Sequence, residues 1–101
     1  MNIIKPVDIV STPAIGTSAG TAIASSATGT RAGFGIQNLG TNPLFVRFGA
    51  SASTTVFHVV LPAATGADNG TSAIYEQLSG SIWQGEVSVA GTTPRFVAWE
   101  Y

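Results

Sequence analysis

The sequence predicts an all-β fold: a single-domain β-sandwich or jelly-roll-like barrel of about seven to eight strands, preceded by an extended N-terminal arm. Three observations lead there. Helix formers are scarce, with Ala, Gly, Ser and Thr supplying roughly half of the 101 residues. Gly and Pro recur at short intervals along the whole chain. Between them lie short stretches in which apolar and polar residues alternate, the period of a half-buried strand.

Residues 1–13 read as the arm. Ile3, Ile4, Val7, Ile9 and Val10 make it apolar, while Pro6 and Pro13 forbid a helix and disfavour a central strand. Residues 14–101 then form one domain. Within it, residues 14–33 are almost all small and fit either a low-complexity linker or a strand over Thr21–Thr28 with Ala22 and Ala24 inward. Phe34–Asn38 alternates, Leu39–Pro43 is turn chemistry, and Leu44–Phe48 places Leu44, Val46 and Phe48 on one face. These three segments read together as a hairpin. Gly49–Ser53 is a further turn.

Thr55–Leu61 is the most apolar run, interrupted only by His58 after Val56, and is expected to be buried on both faces. Pro62–Thr71 is a loop containing the turn signal Asp68–Asn69–Gly70. Ser72–Leu78 reads as a short edge strand. Trp83–Ala90 alternates, with Trp83, Gly85, Val87 and Val89 inward and Gln84, Glu86 and Ser88 outward. After a turn at Gly91–Pro94, a last strand carries Val97, Trp99 and Tyr101 on one face, and Phe96, Ala98 and Glu100 on the other.

Composition excludes several functions. There is no cysteine, hence no disulfide, thiol nucleophile or cysteine-ligated zinc. Lys5, Arg31, Arg47 and Arg95 are scattered, so no basic stripe is available for nucleic acid. No run reaches the length of a membrane helix, and the N-terminus lacks the apolar core of a signal peptide, which together read as a soluble protein made in the cytoplasm. His58, the single histidine, fits a core or interface residue better than a catalytic base, which would need a hydroxyl and a carboxylate brought to it. Asp68–Thr71 offers one carboxylate, too few for a calcium site. Glu76, Glu86 and Glu100 read as solvated outward charges rather than a glycosidase pair. No catalytic, metal-binding or cofactor-binding residue is therefore assigned, and no cofactor is expected.

What remains is surface. Only 9% of the residues are charged, against about 25% in an ordinary soluble domain. Such a chain is expected to associate with neighbours, including copies of itself. The candidate interface residues are Ile3, Ile4, Val7, Ile9 and Val10 of the arm together with Trp83, Trp99 and Tyr101. Trp83 and Trp99 fall in consecutive strands and are candidates for a cross-strand pair. No charge lies between Asp8 and Arg31, so the N-terminal third is expected against another subunit, with Asn2–Pro13 adding to a neighbour's sheet edge. Exposed, coplanar Trp83, Trp99 or Tyr75 rings would instead make a carbohydrate-binding module.

Two stretches, Ile36–Gly49 and Trp83–Phe96 with Glu100 beyond, resemble small virion structural proteins of tailed bacteriophages, of the head-decoration or capsid-auxiliary type. With the apolar strand between them they span about the last two-thirds of the chain. The matching positions are Asn38, Gly40, Asn42 and Pro43 in one turn and Gly91–Pro94 in the other, which shape backbone rather than perform chemistry. The resemblance implies a non-enzymatic subunit located in the virion, docked on the major capsid protein or other virion subunits. A tail, neck or head-fibre component is the alternative within the same particle.

Overall fold

The computed structural model describes residues 14–64 and 73–101. The arm expected over residues 1–13, with its five interface candidates, and the Asp68–Gly70 turn lie outside them. The described residues form eight strands: β1 (Ile15–Gly16), β2 (Gly20–Ile23), β3 (Phe34–Asn38), β4 (Leu44–Phe48), β5 (Val59–Leu61), β6 (Ile74–Gln77), β7 (Val87–Ala90) and β8 (Phe96–Glu100). Two four-stranded antiparallel sheets result, ordered β1-β8-β3-β6 and β2-β7-β4-β5.

This order has a simple origin. β1 pairs with β8, β2 with β7, β3 with β6 and β4 with β5, as in one long antiparallel ribbon. Folding that ribbon over joins β3 to β8 and β4 to β7. The product is the eight-stranded jelly roll, one of the two architectures expected from the sequence.

The core lies between the sheets. Phe34, Ile36 and Phe96 come from the first sheet, and Leu44, Val46, Leu61, Val87, Val89 and Ile23 from the second. Phe34, Ile36, Leu44, Val46, Val87 and Val89 are essentially sealed from solvent. Each sits at the alternate position that a period of two places inward. At β2 the pairing with β7 slips between Thr21 and Ile23. That irregularity turns Ile23 into the core beside Ala22 and leaves Ala24 exposed, where an unbroken alternation would have put Ala24 inward. Residues 14–33 thus contain two short strands rather than one strand over Thr21–Thr28.

β3 and β4 are not a hairpin. They belong to opposite sheets, and residues 39–43 form a corner between them. The cause is Asn38, whose buried amide points into the corner. Its Nδ2 donates to the carbonyls of Asn42 (3.0 Å), Leu61 (3.2 Å) and Pro62 (3.0 Å), and its Oδ1 accepts the Gly40 amide (2.9 Å). The second corner, residues 91–95, packs alongside. Leu39 N–H donates to the Arg95 carbonyl, and Asn42 Nδ2 reaches Thr93 Oγ1.

The Thr55–Leu61 run is not a doubly buried strand. Only Val59–Leu61 joins a ladder, at a sheet edge with β4 as its sole neighbour, and Val56, Phe57 and Val60 are 40–44% exposed. Ser53 Oγ accepts the Thr55 and Val56 amides, holding that segment in a turn. β6 does occupy a sheet edge. β7 begins at Val87, later than its alternation suggests, because the Trp83 and Gly85 carbonyls are engaged by Arg31 instead of a neighbouring strand. Ser88 points outward yet is fully buried: residues 49–52 fold over it, with its hydroxyl donating to the Gly49 carbonyl and accepting the Ala52 amide.

Gly35 marks a close approach that positions the surface described next. A Cβ there would lie 2.4 Å from the Trp99 ring. Gly35→Ala should displace the indole and lower stability by about 1–3 kcal/mol, the usual range for overpacking. A thermal melt with tryptophan fluorescence checks it, the emission shifting to the red as the ring leaves the sheet.

Candidate interaction faces

The pairing registers assign every strand residue to a face, since directly opposed residues share one. In the first sheet the row Glu76–Gly35–Trp99 points outward, as do Gln37, Val97 and Ile15 at one end. Ile74 lies opposite Gln37 on that same side. Tyr101 extends the row beyond β8: it exchanges backbone hydrogen bonds with Ala32 and Gly33, and its ring lies against Gly33, as does Leu78 just after β6. The outer surface is therefore floored by two glycines and covered by Ile15, Val97, Trp99, Tyr101, Ile74 and Leu78. Ile15, Ile74 and Leu78 are about half exposed, at 48%, 52% and 57%. Glu76 is the only charged strand residue on this face. Arg95, just before β8, is already engaged within the protein.

An antiparallel sandwich sheet ordinarily presents a polar outer face to water. This one is apolar on both sides. Of the three described interface candidates, Trp99 and Tyr101 meet on this surface, and Trp83 does not. Trp83 lies in the loop before β7, with its indole over Gly85 and its Nε1 donating to the Glu86 carbonyl (2.8 Å). The expected cross-strand pairing of Trp83 with Trp99 fails because β7 and β8 belong to different sheets and Trp83 precedes β7. Tyr75 points the other way, its ring tilted against Phe34 and Phe48. Trp83, Trp99 and Tyr75 thus share no common face.

The second sheet has a smaller apolar patch on its outer side. Phe45, Arg47 and Val60 point outward by register, and Phe57 stands edge-on to Phe45 with ring centroids 5.0 Å apart. Among the described residues, Arg47 and Glu76 make no ion pair and no side-chain hydrogen bond.

Arg31 and Glu100 are otherwise. Arg31 is buried, its Nε 2.9 Å from Glu100 Oε1. Nη1 donates to the carbonyls of Trp83 (2.8 Å) and Gly85 (3.0 Å), and Nη2 to that of Ala24 (2.6 Å). The guanidinium also lies 5.6 Å from the centroid of the Phe34 ring. Gln84 completes the set, exchanging hydrogen bonds with the Arg31 backbone on both sides. Glu100 is thus not a solvated outward charge. It points inward and secures the arginine that joins residues 24, 83 and 85 to β8. Glu86 is also engaged, accepting a hydrogen bond from the Thr21 hydroxyl.

His58 is neither in a strand nor in the core. It is exposed just before β5, stacked on Phe48 at 4.9 Å with nearly parallel rings, and its Nδ1 accepts the Phe48 amide (3.0 Å). Accepting there puts the neutral ring's proton on Nε2. No hydroxyl or carboxylate among the described residues hydrogen-bonds to it. Nor do any three His, Asp or Glu side chains among them converge as a metal site.

Compared with protein-family models, curated proteins and solved structures, the chain finds no match.

Proposed function

We propose that this protein is a non-enzymatic structural subunit that works by burying its apolar outer faces against neighbours in a larger particle. On the sequence resemblance, that particle is a phage virion, and the subunit is an auxiliary or decoration protein that docks on the capsid lattice and on its own copies. The observation that carries the reading is the outer face around Trp99, where six apolar side chains accompany one carboxylate, Glu76, and one amide, Gln37. Contiguous apolar surface of this kind marks an interaction site. The jelly roll adds no choice of its own, since capsid, lectin and cupin domains all use it.

Copy number in purified particles tests the location. Hundreds of copies per particle fit a capsid-surface subunit, and a few to a few dozen fit a tail, neck or fibre part. Absence from the particle overturns the virion reading. The double variant Ile74→Lys with Leu78→Lys tests the face itself. Both positions are exposed, so its unfolding free energy should stay within about 1 kcal/mol of the parent. Its recovery with sedimented particles should fall at least about tenfold, since interfaces disfavour buried unpaired lysines. Undiminished recovery would mean that this face is not the docking surface.

A further inference from the structure

Two apolar patches face away from each other across the sandwich, and each carries one unpartnered charge of opposite sign. Glu76 lies on the edge strand of the larger face, opposite Gly35 and between Ile74 and Leu78 in the chain. Arg47 lies beside Phe45 on the smaller patch, with Val60 and Phe57 completing it. The other described charges are satisfied within the fold: Arg31 with Glu100, Glu86 with Thr21, and Arg95 internally.

We propose that copies of this chain associate head to tail, the Trp99 face of one against the Phe45–Phe57 patch of the next, with Glu76 of the first meeting Arg47 of the second. This rests on reading the Trp99 face as an interface and adds its occupant. Charge decides the arrangement. Two copies joined symmetrically through the Trp99 face would bury each Glu76 against a face with no cationic strand residue, and joined through the smaller patch each Arg47 against one with no carboxylate. A charge buried in a dry interface without a partner is strongly disfavoured. Only the head-to-tail arrangement pairs each charge with its opposite. Phe57, 40% exposed, projects from the smaller patch and supplies an apolar contact for the larger face. Because the two patches lie on opposite sides of the molecule, a pair formed this way leaves one patch open at each end. Association continues until it closes as a ring or extends as an array.

The test is sedimentation velocity of the full chain and its charge variants over a wide concentration range. The parent mass should rise with concentration. Glu76→Arg and Arg47→Glu should each weaken association by at least about tenfold. The double variant E76R/R47E should recover to within about threefold of the parent. An equimolar mixture of the two single variants should associate although neither does alone, because each now carries one sign of charge on both patches. A parent that stays monomeric throughout overturns the proposal, as does an Arg47→Glu variant that associates like the parent or a double variant that does not recover. The interface reading fails separately: it falls if the Ile74→Lys, Leu78→Lys variant is retained on particles, whatever the charge variants do.

Discussion

Arg31→Met should lower the unfolding free energy by about 3–5 kcal/mol, the range for removing one partner of a buried ion pair. The guanidinium side chain is fully buried and spends four N–H groups on Glu100 and three backbone carbonyls. Methionine fills much of the volume and supplies none of the donors. Glu100, whose side chain is 23% exposed, would keep its charge in a largely dry site, and the carbonyls of Ala24, Trp83 and Gly85 would lose their partner. Arg31→Lys should recover only part of the loss, because one ammonium cannot reproduce a planar fork aimed at four acceptors. Glu100→Gln should lose less, about 1–2 kcal/mol, since the amide oxygen can still accept from Nε. Urea unfolding of the three variants orders them. A methionine variant as stable as the parent would refute the structural role assigned to Arg31.

Asn38→Ala should cost about 3 kcal/mol, on the scale of about 1–3 kcal/mol for each buried polar group left without a partner. The Gly40 amide and the Leu61 carbonyl lie in the interior and have Asn38 as their side-chain partner. The Asn42 and Pro62 carbonyls are closer to solvent and can turn to water. Asn38→Asp is the sharper comparison. It keeps the acceptor for Gly40 but replaces the donor with a second oxygen facing three carbonyls, so it should be at least as harmful as alanine. Hydrogen exchange should localise the damage to residues 39–43 and the end of β5. Unfolding curves that superimpose on the parent's would show that the corner is held by something else.

Strand existence was legible in the sequence wherever alternation was clean. Phe34–Asn38, Leu44–Phe48 and Phe96–Glu100 are strands, and the two faces read for the latter two are those of the structure because the pleat leaves only two, although Glu100, read as outward, turns inward. Sheet membership was not legible. Leu39–Pro43 has the residues of a hairpin turn, and those residues serve equally well at a corner between sheets. What distinguishes them is the hydrogen bonding of Asn38 to Leu61 and Pro62, more than twenty residues away. Arg31 was hidden for a related reason: its partners come from three separate segments, so no local spacing announces it. Val56, Phe57 and Val60 were misread in the opposite sense. Apolar composition states that a side chain avoids water, and burial in its own core was assumed where the fold leaves it exposed. That Trp99 and Tyr101 share a face follows from the period of β8, whereas Ile74, Leu78 and Ile15 lie beside them only because β6 and β1 flank β3 and β8.

The ribbon-like pairing also sets an order of events in folding. β4 and β5 are neighbours both in sequence and in a sheet. Each successive pair outward closes a longer loop, and the entropy lost grows with the logarithm of its length. The β4–β5 contact is thus the easiest to form, and the contact of β1 with β8 closes the longest loop of all. β8 is also the strand that brings Trp99 and Val97 to the outer face. A chain caught part-way through folding therefore has its central strands paired but no completed outer face around Trp99. The topology makes the apolar outer face around Trp99 conditional on finishing the fold, because its strand closes the longest loops.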